Sequence, residues 1–353
     1  PSLDFASTGI PPPSMPTTSS GCLQTCVRMN DLHNKIKRRL QAASRVLITS
    51  HLRPDGDAVG SSLALALALL DLGKWVQVVL SDGLPASFTH LPGADLVRTS
   101  ADGDFDLFIC LDCSDLKRIA PALADHRSPD IIIDHHLTAN PFGELNLLDP
   151  QAAATASILT RCMPVWGLKI TPAVAANLLT GLITDTLGFR TSSTTPETLR
   201  QAADLLEQGV DMPVLYNRSL VRRTFEEAKY WALGLSSLSH SDGILWASLT
   251  LADQSHSGYP GNDDADLINI LSAIDNDLVA IMFVEQDALR TKVSWRALRP
   301  DIDVSRIARH FNGGGHKAAA GAEVTGPLLQ VQETVLSITR EMIAHSPNEI
   351  REN

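Results

Sequence analysis

The chain has no excess of positive charge, no long apolar run and few cysteines, and each shortage removes a class of function. Against 29 lysines and arginines stand 40 aspartates and glutamates, for a formal net charge of −11. Proteins that grip long nucleic acid neutralise its phosphates with a basic stripe, and none is visible here. The balance argues against an extended duplex as partner and leaves small phosphorylated substrates open. The longest apolar stretch, Ser61 to Leu70, is stopped by Asp71 and Gly73. It falls short of the ~20 residues that span a bilayer, so no membrane partner is expected. The five cysteines (Cys22, Cys26, Cys110, Cys113 and Cys162) are odd in number and irregular in spacing. They form no disulfide framework, which fits a reducing cytoplasm. Cys110 and Cys113 make a C-x-x-C inside an apolar run, and no second pair completes a zinc site, so a core role is expected.

What is present is organised in blocks. Residues 1–28 are rich in Pro, Ser and Thr without periodicity, a composition that cannot bury a core. They also lack the basic start and apolar centre of a secretory signal. They are expected to be a disordered or non-native leader, with the folded part starting near Met29, where Leu32, Ile36 and Leu40 open an amphipathic pattern. Short apolar runs at Val46-Leu47-Ile48, Val76–Leu80, Leu107–Leu111 and Ile131–Ile133 predict strands. Helical patterns fall at Ala58–Leu72, Ala152–Cys162, Pro172–Ile183 and Pro196–Glu207. Continuous apolar strands alternating with helices predict an α/β fold with a parallel sheet covered on both faces. A second α/β segment follows, with strands at Ile244–Leu249, Val279–Val284 and Arg290–Trp295. Its helices are predicted at Ala265–Ile274, Val304–Phe311 and Leu328–Ile343. The expected organisation is a catalytic domain over 29–190, a helical linker over 191–235, a smaller α/β domain over 236–345 and a tail over 346–353.

Acids and histidines collect at four points: His51 to Asp57 after the first strand, Asp112 after the third, Asp134-His135-His136 at the fourth, and Asp185 at the end of the Pro172 helix. In a parallel sheet the carboxyl ends of the strands share one edge, where ligands bind, so the first three points converge. Taken singly, Asp57 reads as a helix N-cap, Asp112 as a turn residue, His135 and His136 as ordinary polar residues and Asp185 as a solvated helix end. Taken together they are a mixed nitrogen and oxygen donor set. Such a set suits Mn²⁺, Fe²⁺, Co²⁺ or Zn²⁺ better than Mg²⁺ or Ca²⁺. Gly56, between Asp55 and Asp57, is expected to make a turn that sends the two carboxylates to different metals.

His51-Leu52-Arg53-Pro54-Asp55-Gly56-Asp57-Ala58, Asp112-Cys113-Ser114-Asp115, Asp134-His135-His136, Thr184-Asp185-Thr186 and the later Gly313-Gly314-Gly315-His316-Lys317 resemble the motifs of the DHH phosphoesterase superfamily. The resemblance is to its branch carrying a DHHA1 domain, and it covers about residues 31 to 345. The order of motifs is most similar to that of the small oligoribonucleases that also remove the 3′-phosphate of adenosine 3′,5′-bisphosphate. The resemblance implies a DHH domain, a DHHA1 domain and an active site in the cleft between them, with two divalent ions, Mn²⁺ preferred. It assigns His51 and Asp55 to one ion and Asp57, His135 and Asp185 to the other, with Asp112 bridging. His136 would face the substrate phosphate and Asp134 would stand behind the ligands. Arg53 replaces an Asn common in relatives, at a position that is not a ligand.

Glycines let backbone N–H groups approach an anion. With Arg296 before them and Lys317 after, Gly314, Gly315 and His316 read as a substrate holder, together with Arg296 itself. Trp231 and Trp246 read as core residues, and Arg222-Arg223 as a solvated helix face. The expected activity is hydrolysis of short oligoribonucleotides to nucleoside 5′-monophosphates and of adenosine 3′,5′-bisphosphate to AMP, by a homodimer as relatives suggest. The alternatives are a cyclic- or linear-dinucleotide phosphodiesterase, an inorganic pyrophosphatase and a non-catalytic nucleotide sensor. The glycine-rich element disfavours the pyrophosphatase, and the complete acid and histidine set disfavours the sensor.

Overall fold

The computed structural model of the chain describes residues 20–119, 123, 127–136, 141–275 and 277–344. The expected leader lies outside the described residues as far as residue 19, and the expected tail over 346–353 lies outside them as well. From Ser20 the backbone is helical, nine residues before Met29. The chain divides into two compact units, one through Arg222 and one from Arg223, a division inside the segment expected as a linker.

The first unit runs α1 (Ser20–Ala42), β1 (Arg45–Thr49), α2 (Gly56–Asp71), β2 (Trp75–Val79), β3 (Val97–Arg98), β4 (Leu107–Leu111), β5 (Ile131–Asp134), β6 (Leu145–Leu148), α3 (Thr155–Trp166), α4 (Pro172–Asp185), α5 (Pro196–Leu206) and α6 (Met212–Tyr216). Its six strands are all parallel, in the order β3-β2-β1-β4-β5-β6. The apolar runs are continuous because both faces are covered. Val46, Ile48, Ile109, Leu111, Ile131 and Ile133 pack on one side with the helices. The alternate residues Leu47, Val79, Phe108, Cys110 and Ile132 pack on the other. Cys110, Cys113 and Cys162 are free and buried, Cys110 and Cys113 within this second cluster. The chain leaves β1 toward β2 and returns on the other side of β1 as β4. Their carboxyl ends therefore flank a topological switch point, where ligands of such sheets bind.

Local signals set the helix starts. Thr171 caps α4 and Pro172 occupies its first turn. Thr195 and Thr198 form a reciprocal capping box that spans Pro196 in the first turn. α2 and α4 cross at very short range: a Cβ on Gly60 would stand 2.4 Å from the Asn177 carbonyl oxygen, and one on Gly56 2.4 Å from the Thr184 side chain. Gly56 is therefore required by that approach. The turn expected from it is absent, because it is the first residue of α2.

The second unit contains α7 (Phe225–Ser236), β7 (Ser239–Ser241), β8 (Ile244–Leu249), α8 (Leu251–Ser257), α9 (Leu267–Leu271), β9 (Val279–Asp287), β10 (Arg290–Ala297), α10 (Val304–His310), β11 (Gly314–Gly315), β12 (Ala319–Thr325) and α11 (Leu328–Ala344). Its sheet order is β11-β12-β10-β9-β8-β7, with β8 and β9 parallel and the other pairs antiparallel. Ile281, Phe283, Val293 and Trp295 pack with α10 and α11 on one face. Leu245, Ala247, Ala280 and Met282 pack with α9 and Tyr230 on the other. The strand β12 was not foreseen. Arg223 is half-buried, 2.9 Å from Asp266 and stacked on Trp231, so it does not lie on the solvated face expected. Among the described residues no helix is long and apolar enough to cross a membrane.

Candidate metal centre

The elements of the first unit bring all six of the expected ligands together at the switch point. His51 follows β1, and Asp55 and Asp57 open α2. Asp112 follows β4, His135 follows β5, and Asp185 is the last residue of α4. In three overlapping groups one donor atom from each residue lies within 4.8 Å of those of the others: His51, Asp55 and Asp112; Asp57, His135 and Asp185; and Asp112, His135 and His136. Asp112 is shared by the first and third groups, and His135 by the second and third. Asp112 Oδ2 lies 3.5 Å from His51 Nε2, while its Oδ1 lies 3.7 Å from His135 Nε2 and 3.5 Å from His136 Nδ1. Asp112 adopts a φ of +53°, a left-handed conformation that Asp tolerates better than most residues, and its N–H donates to the Ile133 carbonyl.

The histidines are presented as ligands would be. His51 Nδ1 lies 2.8 Å from the Leu52 carbonyl oxygen, and His135 Nδ1 lies 3.3 Å from that of Ala152. A carbonyl only accepts, so both Nδ1 atoms carry a proton, and Nε2 is the nitrogen turned toward the carboxylates. His51 Nε2 stands 3.7 Å from Asp55 Oδ2, and His135 Nε2 stands 3.2 Å from Asp185 Oδ2. His136 differs: its Nδ1 is 2.7 Å from Asp134 Oδ1. Asp134 is fully buried, and its Oδ2 has no hydrogen-bond partner among the described residues.

The helix-capping duty weighed for Asp57 belongs to Asp55, whose Oδ1 accepts from the N–H groups of Asp57 and Ala58 at the start of α2. Asp57 caps a different helix. Its carboxylate accepts from Thr155 N–H at 2.6 Å and Ala156 N–H at 3.0 Å, at the start of α3. Thr155 was missed from sequence. The only local hint was the run Ala152-Ala153-Ala154, which leaves α3 without a capping side chain of its own.

Electrostatics fit a cation. Burial, then the charges of Asp112 and Asp185, hold the Asp57 carboxyl well above its ordinary range. Burial, then Asp55 and Asp112, do the same to Asp185. Burial opposes the ionisation of Asp112, but the His51 hydrogen bond and the histidine charges hold it low. Burial would depress His51, yet hydrogen bonds to Asp112 and Asp55 raise it to about 11. His136 is likewise raised, by Asp134 and Asp112 against burial, to about 9. The cluster compensates crowded negative charge by holding protons, which is the deficit a bound divalent ion removes.

In the second unit, Arg296 on β10 pairs with Ala319 on β12, and Gly315 on β11 pairs with the next residue, Ala320. His316 closes the β11–β12 hairpin, its N–H donating to the Ala319 carbonyl. Arg296, Gly314, Gly315 and His316 thus share one end of this sheet. Gly315 has φ +141° and no space for a Cβ, which would stand 2.5 Å from the Ala319 oxygen, whereas Gly314 faces open space. Arg296 is half-buried and donates to the Trp295 carbonyl, and burial lowers its guanidinium against the charges of Asp264 and Asp266.

Comparison with known proteins agrees with this architecture. The pattern described as "DHH family, N-terminal domain" matches residues 45–183, and that described as "DHHA1 domain" matches 247–344. The bifunctional oligoribonuclease and PAP phosphatase NrnA of Thermus thermophilus is 33% identical over 309 residues, covering 85% of this chain and 91% of that protein. The NrnA protein of Bacillus subtilis is 24% identical, over 83% of this chain and 93% of its own length. The crystal structure of an exopolyphosphatase-related protein from Bacteroides fragilis superposes with a TM-score of 0.82 at 26% identity, covering 90% of this chain and 98% of that one. With the sheet order, the acids and histidines at its switch point and a relative similar along nearly the whole length, this chain belongs to the DHH family, in the branch that carries a DHHA1 domain.

Proposed function

We propose that the chain is a two-metal phosphoesterase that hydrolyses short oligoribonucleotides to nucleoside 5′-monophosphates and adenosine 3′,5′-bisphosphate to AMP. The observation that carries this reading is the shared position of Asp112 between the His51–Asp55 group and the His135–His136 group, which His135 in turn joins to Asp57 and Asp185. One carboxylate placed between two donor sets is what a pair of ions needs. The names of the Thermus and Bacillus relatives supply the substrate class. His51, Asp55 and Asp112 would hold one ion, and Asp57, His135, Asp185 and Asp112 the other, with Mn²⁺ suited to this mix of imidazole and carboxylate. Two such ions lower the pKa of water and neutralise charge on the phosphate.

The side chains do the rest. His136, with Nδ1 tied to Asp134, turns Nε2 to the reaction as a donor to the phosphate or the leaving oxygen. Asp134 holds that ring in place. Arg296, Gly314, Gly315 and His316 would hold the part of the substrate away from the reacting phosphate, through a guanidinium and backbone N–H groups. The test is a panel of pyrophosphate, adenosine 3′,5′-bisphosphate, a ribodinucleotide and a cyclic dinucleotide, each with added Mn²⁺. Turnover of the bisphosphate and the linear dinucleotide is expected. Turnover of pyrophosphate or the cyclic dinucleotide alone would overturn the proposal.

A further inference from the structure

Thr155 is fully buried and touches two of the expected ligands at once. Its hydroxyl donates to Asp112 Oδ1 at 3.1 Å, and its N–H donates to Asp57 Oδ2 at 2.6 Å. Asp112 Oδ1 is the oxygen that faces His135 and His136, whereas Oδ2 faces His51. The carboxylate torsion of an aspartate is soft, because a terminal sp³–sp² bond has broad wells. Something must keep Oδ1 on one side and Oδ2 on the other, and the Thr155 hydroxyl is placed to do so.

The context of Thr155 is unusual for a helix start. α3 has Ala154 at its N-cap and no capping side chain of its own, where Ser, Thr, Asn or Asp is preferred. Thr155 sits one position later and does not cap the helix. The vacant duty falls to Asp57, which takes the N–H groups of Thr155 and Ala156. One residue thus joins the carboxylate between the two ion positions to a carboxylate of the second. We propose that Thr155 is a positioning residue that sets the carboxylate plane of Asp112 and thereby the affinity for the ion pair. This rests on the two-ion reading above.

Mn²⁺ binding to the metal-stripped chain, followed by the electron-spin resonance of free Mn²⁺, tests it for wild type, Thr155→Val and Thr155→Ser. Thermal unfolding in chelator checks that each variant folds. Partners that orient metal ligands typically contribute about 10- to 100-fold in affinity. Thr155→Val, nearly isosteric but without the hydroxyl, should bind Mn²⁺ about tenfold or more weakly, and Thr155→Ser should stay within about threefold of wild type. Should the valine variant fail to fold, Thr155→Ala removes the same hydroxyl and is read in the same way. Unchanged affinity without the hydroxyl overturns the proposal, and so does a serine variant as weak as valine, which would assign the effect to methyl packing. A wild type that binds no Mn²⁺ overturns the two-ion reading instead, so the two failures are distinguishable.

Discussion

Asp112 and Asp55 show how differently two aspartates of one cluster can be committed. Asp112 is buried and both of its oxygens face imidazoles on opposite sides. The Asp55 side chain is 59% exposed and spends one oxygen on the start of α2. Asp112→Ala is therefore expected to reduce turnover more than any other single ligand change, beyond the roughly 100-fold upper range seen for residues that merely orient ligands. Asp55→Asn keeps an oxygen for the cap and should be milder in both stability and turnover. Steady-state rates of the two variants at saturating Mn²⁺ check this, and near-normal turnover in Asp112→Ala would remove it from its shared position.

At the scale of elements, the crossing of α2 and α4 governs the site. A Cβ on Gly181 would stand 2.5 Å from Asp57 Oδ1 and 2.6 Å from the Ala156 side chain. Overpacking of this kind costs about 1–3 kcal/mol. Gly181→Ala should lower stability by that amount in a denaturant titration and should also weaken Mn²⁺ binding, because the atom it displaces is an expected ligand. A strand-level prediction concerns Asp106. Its carboxylate accepts from the N–H groups of Ser44 and Arg45, tying the start of β4 to the start of β1. Burial works against its ionisation, but these backbone donors win and hold it below the ordinary carboxylate range. A depressed carboxylate contributes stability above its ordinary value and loses it as pH falls through the lowered one. Asp106→Asn should therefore lower the melting temperature at neutral pH, and the gap from wild type should close under acid. A gap independent of pH would refute this role.

For the whole molecule, the acidic charge and the donor set bear on substrate size and metal use. A net charge of −11 offers no basic track for a long strand. The kcat/KM is expected to be higher on ribodinucleotides than on a strand of roughly 24 nucleotides. Excess chelator should abolish turnover and Mn²⁺ should restore it better than Ca²⁺, given imidazole donors. Arg296→Ala should cost about 1.5–3 kcal/mol, the worth of a charge-assisted hydrogen bond, read chiefly as a higher KM on the short substrate. Equal efficiency on the long strand would contradict the first expectation, full activity in chelator the second, and an unaffected Arg296→Ala the third.

Sequence alone determined the four central strands of the first unit's parallel sheet, but not its edge strands β3 and β6, and the gathering of acids and histidines at its carboxyl edge. Runs such as Leu107–Leu111 announce a strand buried on both faces, and acids and histidines directly after such runs must meet, because parallel strands share one carboxyl edge. The β12 strand escaped because Ala319 to Thr325 is mostly small residues of low strand propensity, held by pairing with β10. Which aspartate caps which helix, why Gly56 and Gly181 must be glycine and that Thr155 bears on Asp112 were decided only in three dimensions. Apolar period and helix caps are written within a few neighbouring residues, whereas the Thr155–Asp57 bond joins positions 98 residues apart. Such a bond exists only after α2, α3 and α4 have packed.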